Sequence, residues 1–322
     1  MNDLIRNVDR VEITSLQDNY VDVLAMDSDG VVARPLPVAP AGKKGLVLTA
    51  SPLAEHGFSA FIRVADPDGS RCMLFDFGGS GHGAAYNADL LSVDLGDVEA
   101  MALSHGHADH FRGLETLVRK TGKNGLPLAL HPAVFRKDRY MKVSGGLDVF
   151  FPELEREWVE EAGAAVRETI SPMPLLGGRA VFLGEIPRTV EFETGMSNAF
   201  YKNGDRDLPD RLEDDSAIVF HVRDRGLVVL SGCAHSGIVN TVQHACDVAG
   251  TNRVMAVMGG FHLTGPDGAD RVEPTIQALK AIDPEFVIPA HCTCRDAVMA
   301  IEKAMPDKFR MNMSGTTMTF GS

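Results

Sequence analysis

Four metal-competent side chains fall within six consecutive positions of the run Leu103-Ser104-His105-Gly106-His107-Ala108-Asp109-His110. Three imidazoles and a carboxylate packed this closely repel one another or stay solvated as their pKa values shift, unless a cation gathers them. The apolar stretch at 98–103 reads as a short buried strand, and 111–120 has helical spacing, so the cluster sits on a strand-to-helix loop. Loops of this kind carry chemistry. His105 and His107 can converge on one ion while Asp109 and His110 turn toward a second, an arrangement suited to two metals.

Short apolar strands recur through the first half at 11–16, 58–64, 73–77, 98–103 and 126–130. The second half repeats the alternation, with strands at 217–222, 227–230, 254–257 and 286–288, helices starting near Ile238 and Pro274, and a helix near 297–304. Two similar α/β halves fit an αββα sandwich of two mixed sheets flanked by helices, and on pattern alone they also fit a doubly wound sheet. Residues 145–215 are rich in Pro, Gly and charge, with a short helical stretch at 154–162, and read as a lid-like insertion within a single domain spanning 1–322. A second Pro-rich segment, 31–45, reads as a surface loop.

With 44% apolar residues the chain has ample material for a buried core, and its formal net charge of −13 opposes a nucleic-acid backbone or an anionic membrane as partner. The segment 1–7 lacks the apolar centre of a secretory signal, and no apolar run approaches the ~18 residues needed to span a bilayer. A cytoplasmic protein acting on a small molecule is expected, and a homodimer is the guess that its size suggests. The five cysteines, an odd number without an export signal, are expected to be free thiols.

Ligands from elsewhere are best sought where strands end, because such positions are rigid. Three strand-break-histidine segments qualify: 227–237 with His235, 257–262 with His262, and 287–292 with His291. His235 serves as a ligand, a helix cap or a substrate contact; His262 as a ligand or a hydrogen-bonded pocket residue. His56, His82, His131, His221 and His244 read as structural or surface histidines.

The pattern His-x-His-x-Asp-His resembles the signature of the metallo-β-lactamase superfamily. The resemblance selects the αββα sandwich over the doubly wound sheet, and implies two divalent metal ions, zinc foremost with iron or manganese as alternatives, and His291 as the last metal histidine. Two departures stand out. Gly232-Cys233 occupies the place of a bridging aspartate, and Asp214-Asp215-Ser216 that of a histidine. Cys233 or Asp215 can bind metal, or His235 can reach back to fill the gap. Together with Leu53-Ala54-Glu55-His56-Gly57-Phe58-Ser59, Gly184-Glu185-Ile186-Pro187-Arg188 and Gly259-Gly260-Phe261-His262-Leu263, these departures resemble the branch of metal-dependent hydrolases labelled as similar to 7,8-dihydropterin-6-methyl-4-(β-D-ribofuranosyl)-aminobenzene 5′-phosphate synthase. The branch implies that Asp76 and Gly78 form a loop beneath the metals, with Asp76 orienting a ligand histidine and Phe77 standing where a small hydroxyl residue is usual. His56 and Asn87 border the pocket or cap an edge.

The expected centre thus has His105, His107 and His235 on one ion and Asp109, His110 and His291 on the other. Water held between two cations ionises near neutral pH and becomes the nucleophile. Asp109 is placed to receive a proton, and His262 or Arg188 to steady the developing anion. The expected reaction is hydrolysis of a small ester, lactone, amide or cyclic phosphodiester. The alternatives are a synthase-like transfer related to the branch label, and a non-hydrolytic iron redox or sensor protein, for which Cys233 speaks.

Overall fold

Strands Gly226–Ser231 and Val254–Gly260 are buried at every residue, the mark of a sheet covered on both faces. The computed structural model describes residues 4–42, 45–265 and 267–322. It contains two large mixed sheets. The eight-stranded sheet runs, edge to edge, Ala164–Glu168, Leu126–Leu130, Val98–Ala102, Gly69–Phe75, Ser59–Asp66, Arg10–Gln17, Thr317–Gly321 and Val32–Ala33. The seven-stranded sheet runs Met173–Leu175, Ala180–Phe182, Ala217–Val222, Gly226–Ser231, Val254–Gly260 and Phe286–Ala290, with Asn7–Val8 added in parallel beside Ala217–Val222.

The sheets face each other across one apolar layer in which Ile62, Met73 and Phe75 meet Phe220, Leu230 and Met258. Leu114, Leu117 and Val118 of helix Leu114–Thr121 cover the outer face of the first sheet, and Ile238 and Val242 of helix Ile238–Ala249, with Leu279 and Ile301, cover that of the second. This is the αββα sandwich. Among the described residues no helix is long and apolar enough to cross a membrane.

Several expectations shift. The helix read at 111–120 is two pieces, Ala108–Phe111 and Leu114–Thr121. The break falls at Gly113, which lies against the loop after Phe75 so closely that an added Cβ would stand 2.0 Å from the Phe77 carbonyl oxygen. The helix read from Pro274 begins at Gly268, so the proline lies in its interior and leaves one carbonyl without its helical donor. Segment 145–215 is not one excursion: Ala164–Glu168 joins the first sheet, and Met173–Leu175 and Ala180–Phe182 the second. The rest, with Arg139–Val143, makes an antiparallel sheet ordered Leu147–Phe150, Arg139–Val143, Ala199–Asn203, Arg206–Pro209. Segment 31–45 contributes Val32–Ala33 to the first sheet, and its Val38–Pro40 pairs with Leu46–Leu48. Lys43 and Lys44 of that segment, like Met1, Asn2 and Asp3 of the amino-terminal reading, lie outside the described residues.

Strands Gly69–Phe75, Val98–Ala102, Gly226–Ser231, Val254–Gly260 and Phe286–Ala290 lead into the segments that carry Asp76, His105 to His110, His235, His262 and His291. The parallel parts of both sheets therefore deliver the candidate donors from their carboxyl ends. Phe220, fully buried between the sheets, should cost about 3–5 kcal/mol on truncation to alanine, read by urea unfolding.

Candidate metal centre

Four of these five strands run into a sharp turn. Asp76, Ala234, His262 and His291 have φ of 57°, 53°, 43° and 49°, a left-handed conformation that non-glycine residues adopt at a cost. Gly232 lets the two sheet edges meet, since a Cβ there would lie 2.1 Å from Ser104 Oγ and 2.8 Å from Asp76 Oδ2.

His105, His107 and His235 come together. His105 Nε2 lies 3.1 Å from His107 Nδ1 and 3.2 Å from His235 Nε2. Burial drives His105 and His235 well below the ordinary imidazole range, and burial with the nearby Arg139 charge takes His107 to about 3. All three rings are neutral at pH 7. His105 Nδ1 meets Ser104 Oγ at 2.8 Å, and that hydroxyl donates to Asp76 Oδ2 at 2.7 Å, so the proton of His105 belongs on Nδ1 and its Nε2 lone pair faces the other two rings.

The second group is Asp109, His110 and His291. His110 Nδ1 donates to Asp76 Oδ2 at 2.7 Å, the orienting role the resemblance implied for that aspartate. Its Nε2 is 3.1 Å from His291 Nε2, and Asp109 Oδ2 is 3.3 Å from His291 Nε2 and 3.7 Å from His110 Nε2. Burial lowers His291 to about 4 against the pull of Asp109, so it too is neutral, and its Nδ1 proton goes to Asn19 Oδ1 at 3.1 Å. A lone pair therefore faces a carboxylate, which can only accept. Burial opposes ionisation of Asp109, yet the charge of the neighbouring His110 and the hydrogen bond from His56 hold it far below the usual carboxylate range. His110 shows the complementary effect: despite burial, the charges of Asp76 and Asp109 raise its pKa. The pocket favours a positive charge where these donors converge, and this donor set fits a cation.

Cys233 Sγ lies 3.2 Å from His110 Nε2 and forms a metal-competent group with His105 and His110, between the two sets. Burial raises its thiol pKa, with Cys292 adding to the effect. Asp215 belongs to none of the metal-competent groups among the described residues; its Oδ2 accepts the Ser236 N–H at 2.8 Å and ties down the turn bearing His235. Asp214 accepts the Gly106 N–H at 2.8 Å and two bonds from Arg139, bracing the loop between His105 and His107.

The cleft over these donors has a volume of about 600 Å³ and is lined by His107, Asp109, His235 and His291, with Arg112 and Phe151. His262 lies at its edge, its ring centroid 4.2 Å from that of His235, outside the metal-competent groups among the described residues. Arg188 is turned away: it bonds the carbonyls of Arg211 and Leu212 and the Ser236 hydroxyl. Arg112, which sequence reasoning passed over, is the arginine among the residues that line this cleft. Asn87 is a clamp, donating to the Leu16 and Leu53 carbonyls and accepting the Leu53 N–H. Asn19, also passed over, had a faint signal in its place just beyond strand Arg10–Gln17.

An αββα sandwich gathering imidazoles and carboxylates at the carboxyl ends of its strands defines a class of metal-binding proteins. Residues 54–291 match the profile of the metallo-beta-lactamase superfamily, and the chain belongs to that superfamily. It is 30% identical over 272 residues to the 7,8-dihydropterin-6-methyl-4-(beta-D-ribofuranosyl)-aminobenzene-5′-phosphate synthase of Methanocaldococcus jannaschii, covering 83% of this chain and 90% of that one. Among solved structures, Tm1679, described as a metal-dependent hydrolase of the beta-lactamase superfamily, superposes with a TM-score of 0.68 at 24% identity, covering 97% of this chain and all of its own. The metallo-beta-lactamase fold protein YhfI of Bacillus subtilis gives 0.50 at 12% identity, with 97% of this chain covered. At these identities the two structures speak for the fold alone.

Arg139 holds Asp214 down to about 2 even though burial opposes ionisation. A depressed native pKa means that the unfolded chain binds more protons as pH falls below the ordinary carboxylate value, so the stabilisation is full above about pH 4 and lost toward pH 2. Asp214→Asn should therefore be less stable than the native protein at pH 7, and the gap in urea midpoints should narrow between pH 5 and pH 3. A gap constant with pH contradicts this role.

Proposed function

We propose that this protein is a metal-dependent hydrolase of small esters, lactones, amides or cyclic phosphodiesters, with His105, His107 and His235 holding one divalent ion and Asp109, His110 and His291 a second. The observation that carries this reading is the neutral His291 Nε2 aimed at the Asp109 carboxylate from 3.3 Å, with its only proton committed to Asn19. Two acceptors buried at that separation repel unless a cation lies between them. Zinc suits three imidazoles; the nearby thiol of Cys233 also admits iron. Divalent ions held there lower the pKa of a coordinated water toward neutrality and polarise the oxygen of the bond under attack.

The chain's own residues do the rest. Asp109 is the carboxylate positioned to receive the proton that the nucleophile releases. His262 at the cleft edge and Arg112 at its mouth face charge that develops on the substrate. Phe151, whose ring lies 4.6 Å from that of His107, shields one side of the site from water. A cleft of this size takes a small molecule. The net charge of −13 disfavours polyanions, and the same proposal has the protein act in the cytoplasm without a membrane or nucleic-acid partner. A homodimer is part of the same proposal.

The relative that is 30% identical is named a synthase, and that supports a second reading, bond formation on a pterin-like substrate. One set of measurements separates the two. Protein purified without added metal is expected to contain close to two equivalents of zinc, manganese or iron, and to hydrolyse at least one member of a panel of chromogenic esters, lactones and phosphodiesters. His107→Ala should lose that activity by about 10³-fold or more together with part of the metal. Undiminished hydrolysis in His107→Ala would falsify the assignment, and a fully metallated protein inert toward the whole panel favours the synthase reading.

A further inference from the structure

His56, Asp109 and His291 form a cluster whose donor atoms all lie within 4.8 Å of one another, and on spacing alone His56 would count as another ligand. Its hydrogen bonds speak against that. The Asn19 side chain makes four bonds, two of them to backbone groups whose polarity is fixed by chemistry. Its Oδ1 accepts the Gly57 N–H at 3.2 Å, and its Nδ2 donates to the His291 carbonyl at 2.9 Å. A backbone N–H can only donate and a carbonyl can only accept, so the amide has one orientation. The two remaining bonds then set the protons of two rings. His291 Nδ1 meets Asn19 Oδ1 at 3.1 Å and must carry hydrogen; His56 Nδ1 meets Asn19 Nδ2 at 3.1 Å and must be bare.

We propose that Asn19 is a positioning residue that fixes His291 and His56 in opposite tautomers, baring His291 Nε2 for the metal while keeping a proton on His56 Nε2. That proton points at Asp109 Oδ2, 3.2 Å away. His56 is thereby a donor to the carboxylate and not a competitor for the ion, although its side chain is 69% exposed and reaches the cleft. Asp18 holds the arrangement in register: its Oδ1 accepts both the Asn19 N–H at 2.7 Å and the His291 N–H at 2.9 Å, and its Oδ2 is held by Asn312. One amide side chain thus decides which of two adjacent histidines binds metal. The inference deepens the metal-site reading above and rests on it for its function, while the tautomers themselves can be read with or without an ion.

The test is a long-range proton–nitrogen correlation spectrum of zinc-loaded protein labelled with nitrogen-15 at histidine, the two rings being assigned by the signals lost in His56→Gln and His291→Gln. The native protein is expected to show His56 protonated on Nε2 and His291 protonated on Nδ1. Asn19→Asp, whose side chain can only accept, should place a proton on His56 Nδ1 and leave His291 as it was. Asn19→Ala should weaken binding of one zinc ion by about 10- to 100-fold in competition with a chelating dye. A native His56 protonated on Nδ1, an unchanged His56 in Asn19→Asp, or unaltered zinc affinity in Asn19→Ala overturns the proposal. The native spectrum decides the tautomers even if both variants fail to fold. Native protein that takes up no zinc but shows these tautomers would instead sink the metal reading, so the two failures are distinguishable.

Discussion

The centre depends on where a few protons sit. Ser104, Asp76 and Asn19 each hold a proton on the Nδ1 atom of an imidazole, at His105, His110 and His291, and so turn three Nε2 atoms toward common points. Without those partners each ring could rotate or exchange tautomers, and burial would favour dispersal over convergence. With them, the interior edge of the sandwich becomes a set of preorganised acceptors that a cation satisfies. Such outer partners carry much of the affinity of a metal site, because they orient the ligands and raise their basicity.

The rest of the fold supplies the stability this arrangement consumes. Left-handed backbone at Asp76, Ala234, His262 and His291 costs on the order of 1–3 kcal/mol per residue. The apolar layer between the sheets and the two helix layers outside them offset it through burial. The strain has a geometric use, since a sharp turn at the strand end aims the side chain back over the sheet edge. Close approach at Gly232 and Gly113 serves the same purpose, bringing the second sheet onto Ser104 and the split helix onto the loop after Phe75.

What could be read in the sequence follows from how locally each feature is encoded. The donors His105, His107, Asp109 and His110 are adjacent in the chain, so their clustering needed no tertiary knowledge. His235 and His291 are visible as histidines after buried strands, and strands Leu126–Leu130 and Ala217–Val222 are legible to the residue because their apolar runs are interrupted only by Pro127 and His221. Arg139 carries no such signal, Asn19 only its place beyond a strand and Asp214 only its place in a departure from the family pattern: each acts through a partner far along the chain, Asn19 on His291 and Arg139 on Asp214. His56 was read as a border or structural residue because its link to Asp109 exists only in three dimensions. The strands of 145–215 are three to five residues long, too short for periodicity to show, so a segment that feeds three sheets looked like one loop.

That division of labour bears on specificity. The donors come from the sandwich, which the chain shares with its superfamily, whereas the residues over them come from elsewhere: Met141 from strand Arg139–Val143, Phe151 just after Leu147–Phe150, Met196 just before Ala199–Asn203. A metal pair can attack many kinds of bond, and nothing in the donor set prefers an ester to a phosphodiester. The cover over the donors is the small antiparallel sheet, whose Tyr140 packs between Phe150 and Phe200 and stiffens it. Arg139 joins the two systems, since it lies on that sheet and its guanidinium pairs with Asp214 beneath the His105 loop. One buried ion pair therefore ties the sheet over the cleft to the loop that carries His105 and His107.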